Sequence, residues 1–383
     1  MAATPTHTLV QRKAAPLQTG RIRPLVKEDL PGVVDLYLRT FPQGRQYSRQ
    51  RLQDRFGKVL LQNPWYDRSI PSLVYENLGK VLGFLGVVVR PMLLGSEPIR
   101  LAACNHFMVD PSARATKAGF DLLRHHFAGP QDLSVAESGD ASRKMWEALG
   151  GQTSVGRSLH WTRILRPACY GLHQLEKRSS RPGPLRLARP ICKLADSIAA
   201  RLKGNPLYQS AQAEGEELDE QKFIEGLARC AKPAALSPHY DSDSLRWLLW
   251  LLADKRELGK LHKAAVRGER GETIGWYIYY LAPGGVSTVL HFHASPTFLP
   301  RVLSHLCQHA GSQGSIALSG RLEPRYAKLL SENHCWFRWR SWMLVHSRNP
   351  KLVEALDHKD TVFSALEGEF WISVEGESPD CRS

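Results

Sequence analysis

Val109-Asp-Pro-Ser-Ala-Arg-Ala-Thr-Lys-Ala-Gly119 separates a strand-like run, Leu101–Met108, from a helix-like run, Phe120–Phe127. A loop in that position sets backbone N–H groups beside a helix N-terminus. Unpaired donors and the positive end of the helix dipole both favour an anion there. Arg114 adds a full positive charge to the loop.

Outward from the loop, the periodicity places strands and helices on both sides. Upstream, Ile22-Arg23-Pro24 reads as a strand, and Lys27-Glu28-Asp29-Leu30 opens a helix carrying Val33, Val34, Leu36 and Tyr37 at helical spacing. Ser72–Tyr75 and Val81–Arg90 form a hairpin turning at Glu76-Asn77-Leu78-Gly79, and Ile99–Val109 is the next strand. Downstream, Asp132–Val135 is a short strand and Ser142–Gly151 a helix.

Strand, Val-x-Pro, Arg114 and Gly119 at a helix start together resemble the pyrophosphate loop of the GNAT acetyltransferase superfamily. The family pattern is Arg or Gln, two residues, Gly, one residue, then Gly or Ala. Lys117 stands where the first glycine belongs. Lysine there either supplies a point charge to a phosphate or marks a loop that has lost its ligand. The likeness continues in the arginine strand before an acidic helix start and in Ser-Arg-Lys-Met-Trp-Glu-Ala-Leu-Gly-Gly at 142–151. It covers Arg21 to Pro167. It implies acetyl-coenzyme A, or another acyl-coenzyme A, as cosubstrate, held by Met108, Val109, Arg114, Ala115, Thr116, Lys117, Ala118 and Gly119.

The same resemblance frames the chemistry. Many members use a tyrosine in the late helix to protonate the leaving thiolate, where this chain has Trp146. An indole donates a hydrogen bond but is no general acid near neutral pH, and its simplest role is packing. His106, beside Asn105 on the strand before the loop, and Glu137, after the next strand, are the candidates for accepting the acceptor's proton. Tyr47 and Arg51 are candidates for the acceptor side.

At 383 residues the chain exceeds one ordinary core and implies two domains with a connector. No apolar run reaches the roughly 20 residues that span a bilayer. Residues 1–20 and 377–383 read as tails, the first lacking a secretory apolar core. Seven scattered cysteines without a Cys-x-x-Cys pair fit reduced thiols in a cytoplasm.

Residues 168–236 form the expected connector, basic and then acidic. Leu187, Ile191, Leu194, Ile198 and Leu202 recur at helical spacing among arginines and lysines. The plainer expectation is that this stripe packs on a domain; the other is peripheral contact of 177–203 with an anionic membrane. Nucleic acid is not expected, since no recognition motif accompanies the formal charge of +14. Glu214, Glu216, Glu217, Asp219 and Glu220 read as a solvated helix start running to Cys230.

From 237 to 376 a second unit repeats the order. A buried helix (Asp241–Leu252) precedes strands Thr273–Leu281 and Val286–Ala294, helix Phe298–Ala310 and strand Ser315–Leu318. Helix Glu323–Glu332 and strands Cys335–Val345 and Thr361–Leu366 follow, leading to Glu367-Gly-Glu-Phe-Trp371. It resembles a second, degenerate GNAT-type domain, whose loop His293-Ala-Ser-Pro-Thr297 has neither arginine nor glycine; it is not expected to hold coenzyme A. The Asp241–Trp250 and Glu367–Trp371 segments are similar to those of bacterial tandem-GNAT proteins, some tied to polysaccharide synthesis. His291 with His293, and His305 with His309, have zinc-compatible spacing, yet no metal is expected.

The fold expected is α+β: two three-layer units, each a mixed, mostly antiparallel sheet flanked by helices, joined by a basic helical connector. The function expected is transfer of an acetyl group from acetyl-coenzyme A to an amine or hydroxyl. The alternatives are a non-catalytic scaffold or coenzyme A sensor, and a membrane-surface or nucleic-acid adaptor.

Overall fold

Arg23 shows how local charge sets the first unit. Its guanidinium donates to both carboxylate oxygens of Asp29, at 2.6 and 2.7 Å, and to Glu76 at 2.7 Å. One side chain thus ties the first strand to its neighbour and to the start of the first helix. The computed structural model describes residues 20–372, apart from 115, 180–182, 200–213, 219–220, 222 and 225–234.

The first unit runs β1 (Arg21–Pro24), α1 (Leu30–Thr40), α2 (Arg49–Phe56), β2 (Leu73–Asn77), β3 (Lys80–Leu94), β4 (Glu97–Val109), α3 (Ala118–Phe127), β5 (Leu133–Ser138), α4 (Asp140–Ala148), β6 (Gln152–Ser154) and β7 (Leu159–Ile164). The connector holds α5 (Pro167–Arg178), α6 (Arg189–Ala199), β8 (Glu214–Glu217) and β9 (Ser237–Pro238). The second unit runs α7 (Ser242–Ala253), β10 (Lys260–Arg267), β11 (Thr273–Leu281), β12 (Val286–Ala294), α8 (Leu299–Ser312), β13 (Ala317–Arg321), α9 (Ala327–Glu332), β14 (Trp336–Trp339), β15 (Trp342–His346) and α10 (Pro350–Asp357).

Two mixed sheets result. One has the order β1-β2-β3-β4-β5-β15-β6, with β9 added on β3; the other is β14-β7-β13-β12-β11-β10-β8. Each carries one parallel pair, β4 with β5 and β12 with β13. Each unit also gives its last strand away. β7 pairs with β13 and β14, while β15 pairs with β5 and β6. Leu159–Ile164, counted with the first unit from the sequence, therefore lies in the second sheet, and the units are locked by reciprocal exchange.

Three sequence expectations change. The acidic run Glu214–Glu217 is a strand against β10, with Glu216 ion-paired to Arg267, because an available sheet edge and cation outweigh local helix preference. Its continuation to Cys230 lies largely outside the described residues. Cys335–Val345 breaks at Arg340-Ser341 into two strands serving different sheets. Thr361–Leu366 joins no ladder.

That last segment continues as a buried strap, Thr361–Ile372, between the units. A coil inside a protein must satisfy its carbonyls without a sheet partner, and buried cations do so here. Arg157 donates to Phe363 O, as well as to Leu356 O of α10, Lys255 to Phe370 O, and Arg55 to Trp371 O, at 2.6–3.0 Å. Glu367 accepts from Ser364 N, Ser364 Oγ and the Tyr240 hydroxyl, which accepts in turn from Arg90. The strap's Phe363, Leu366 and Trp371 pack into a core that also contains α1, α7 and β11 side chains, so the largest hydrophobic cluster belongs to both units.

Candidate active site

The site begins where β4 and β5 part. Their parallel pairing covers Leu101–Ala103 with Leu133–Val135 and stops there. Beyond it β4 stays on β3, but its register slips between Phe84 and Gly86, opposite Asn105 to Met108. His106 sits in this bulge with φ +45°, a left-handed backbone that a bulge tolerates. The slot so opened is apolar: Phe107 and Val109 of β4 and Met145 of α4 are half-buried. Beside Gly139, where β5 ends, the space is open.

The loop closes one end of the slot. Asp110 accepts from the Ser112 hydroxyl at 2.6 Å, from Ser112 N at 3.0 Å and from Arg39 at 2.9 Å, pinning the turn to α1; these bonds, the Ser112 hydroxyl first, hold its carboxyl below the usual range. Asp110 N donates back to Leu82 O on β3. Since N–H directions alternate along a strand, the Val109 N–H is turned to the slot. At the start of α3, Thr116 Oγ1 accepts from Ala118 N. The N–H groups of Gly119 and Phe120 find no acceptor among the described residues, as helix geometry requires of a first turn.

Arg114 and Lys117 are exposed beside those donors, and Ala115 lies outside the described residues. Lys117 has φ −80°, so the missing glycine imposes no backbone strain. Gly119 is favoured for a different reason: a Cβ there would sit tightly against the Phe107 ring at 3.3 Å and Met145 Sδ at 3.4 Å. Met108 pairs with Phe84 and is buried in the core, so of the loop-side candidates Met108 and Val109 only Val109 reaches the slot. Two N–H donors, two cations and an apolar channel can hold a phosphate-bearing ligand with a long neutral arm. The residues present fit a coenzyme A thioester.

The named acid–base candidates have defined surroundings. His106 packs edge-on to Tyr37 and Phe56, and its Nδ1 lies 2.8 Å from Asn105 Oδ1. Burial, with the Lys255 and Arg55 charges, pushes its pKa down to about 3, so the ring is neutral at physiological pH. Glu137 is ion-paired with Arg321 of β13 and accepts from Ser341 at 3.2 Å. Trp146 is 1 % exposed and edge-on to Phe127, a packing residue. Arg51 lies over the Tyr47 ring at 5.0 Å. Arg321 comes from β13 of the second sheet, and sequence spacing gave no means of pairing it with Glu137.

The equivalent place in the second unit is filled. β12 and β13 pair from Val286 to Val289 and then part, with a register slip at Ile278. Phe292 stacks on Tyr326 at 4.5 Å and meets Trp161 edge-on, and the Tyr326 hydroxyl donates to Phe292 O. Phe292 and Ala294 are buried where Phe107 and Val109 are half-exposed. The histidine pairs do not converge. His291 and His293 lie over Trp276, whereas His305 and His309 hydrogen-bond to Tyr277 and Tyr279 on the opposite face of β11. Among the described residues, no group of three or more His, Cys, Asp or Glu is placed to hold a metal.

No family model and no curated protein matches the chain in sequence. Solved structures match its fold. A probable N-acyltransferase from Enterococcus faecalis V583 has a TM-score of 0.56 at 13% identity, over 86% of this chain and 73% of its own. A GCN5-related N-acetyltransferase from Anabaena variabilis ATCC 29413 has 0.56 at 14%, over 88% and 75%. Saccharomyces cerevisiae N-myristoyltransferase with bound myristoyl-CoA has 0.51 at 11%, over 88% and 86%. The chain has the GNAT fold, in two units.

Proposed function

With two units of the GNAT fold as the premise, we propose that this chain is an acyltransferase whose first unit holds acyl-coenzyme A and whose second unit shapes the acceptor cleft. The observation that carries this reading is the contrast between the two splayed strand pairs. The first keeps a half-open apolar slot ending at a helix N-terminus with Arg114 and Lys117; the second is packed with Trp161, Phe292 and Tyr326. The Gly119 and Phe120 N–H groups and the two cations would hold the pyrophosphate, and Phe107, Val109 and Met145 the neutral arm.

The bound thioester supplies the activated acyl group for attack by an amine or hydroxyl. Val109 N–H, turned to the slot, polarises the carbonyl as charge develops on its oxygen. Glu137 is committed to Arg321 and His106 is pushed to about pKa 3, so transfer owes more to positioning than to a strong base. Acetyl-coenzyme A titrated into the protein in a calorimeter gives saturable binding. Arg114→Glu weakens it by about tenfold or more, because a charge-assisted contact is worth about 1.5–3 kcal/mol. No saturation at millimolar ligand would overturn the proposal.

Trp146, which offers no ionisable hydroxyl, favours a second reading in which the same slot binds coenzyme A without turnover. Release of coenzyme A in the presence of candidate amines separates the two.

A further inference from the structure

The connector's apolar stripe is not packed on either unit. Leu187, Ile191, Leu194 and Ile198 are 81%, 71%, 63% and 56% exposed, and Leu175 on α5 is 57% exposed. Their 4-3-4 spacing puts the first four on one face of α6 and the turn before it. The opposite face is the one that contacts α5, through Asp196, which accepts from Ala168 N and Cys169 N at 2.9 Å. At the other end Arg189 forks onto Glu176 at 2.7 and 2.9 Å. The two helices are thus an antiparallel hairpin, clamped at both ends, with its apolar stripe turned outward.

Charge selects what covers that stripe. Between Arg166 and Lys203 the chain has nine arginines and lysines against two carboxylates, half of the formal net charge of +14 in one-tenth of its length. Both carboxylates, Glu176 and Asp196, are used inside the hairpin. Arg178, Arg186 and Lys193 are exposed. A second copy of the hairpin would meet like charge, whereas an anionic bilayer offers negative headgroups and apolar chains side by side. We propose that the α5–α6 hairpin docks on an anionic lipid surface, with Ile191, Leu194 and Ile198 entering the headgroup–acyl boundary and the arginines and lysines meeting phosphate. This assignment is independent of the acyl-transfer reading.

Co-sedimentation of the full chain with vesicles tests it. The protein pellets with phosphatidylcholine–phosphatidylglycerol vesicles and stays in solution with phosphatidylcholine alone, and added salt releases it as screening sets in. The double variant Ile191→Glu, Leu194→Glu lowers the partition by about tenfold or more, since each buried aliphatic side chain contributes on that scale. Both residues are exposed, so an unchanged circular-dichroism melt shows that the fold survives. Equal pelleting of the variant, or no pelleting with anionic vesicles, overturns the proposal. So does a wild-type dimer in light scattering that Ile191→Glu splits without any vesicle binding, which assigns the stripe to a second copy.

Discussion

Lys117 and Trp146 depart from the family pattern for different physical reasons. The backbone at Lys117 is ordinary, so its effect on binding is through its side chain; Lys117→Gly is expected to weaken acetyl-coenzyme A by several-fold by removing a point charge, and to leave the melt unchanged. Trp146 is enclosed, with Phe127 against its ring. Trp146→Tyr would leave a void and place a hydroxyl in an apolar site, costing about 1–3 kcal/mol without raising turnover. Denaturant unfolding measures the first, thioester consumption the second. A stable variant with faster transfer would return this position to acid catalysis. At this scale the sequence was legible for residues whose role is local. Arg114, Thr116 and Gly119 are read from a strand–loop–helix pattern. Glu137 is not, because its partner Arg321 is almost half the chain away and arrives through the second sheet.

Elements were legible where periodicity and turn chemistry agree. The β2–β3 hairpin turns at Leu78-Gly79 with Gly79 at φ +73°, and β4, α3 and α4 lie where their apolar spacing puts them. The acidic strand β8 was not legible: its pairing with β10 supplies backbone bonds that no local pattern announces. The α5–α6 hairpin makes a further prediction. Asp196 caps two N–H groups of α5, and Asp196→Ala should cost about 1–2 kcal/mol and loosen the hairpin. Amide hydrogen exchange should quicken over 167–178 and 189–199 and stay as before in β11 and β12. Uniform quickening across both sheets would show instead that Asp196 supports the whole fold.

The whole molecule is one cooperative body because β7, β15 and the strap cross between the units. Its interior also holds histidines that burial keeps neutral: His106, His126 and His291 with pKa values pushed down to about 3, and His293 to about 2. Each folded value lies below the ordinary 6.5, so the unfolded chain binds more protons as pH falls. The stabilisation is complete above pH 6.5 and is lost progressively down to the folded values. Each histidine then gives up about 2 kcal/mol between pH 7 and pH 5. Denaturant midpoints should drop steeply over that interval in a single transition; a flat profile would mean that these rings reach water.

By itself the sequence determined the strand–loop–helix segment of the candidate anion site, the repeated order of strands and helices, and the amphipathic basic connector. Each is written in spacings of a few residues, and hydrogen-bond and side-chain periodicity act over that range. Tertiary structure alone decided that the last strands are exchanged, that Glu137 is held by Arg321 and that the second slot is filled. It also decided that the connector's apolar stripe faces outward. Those outcomes depend on which distant edge, cation or core is free to accept a segment, and chain-local physics carries no record of that competition.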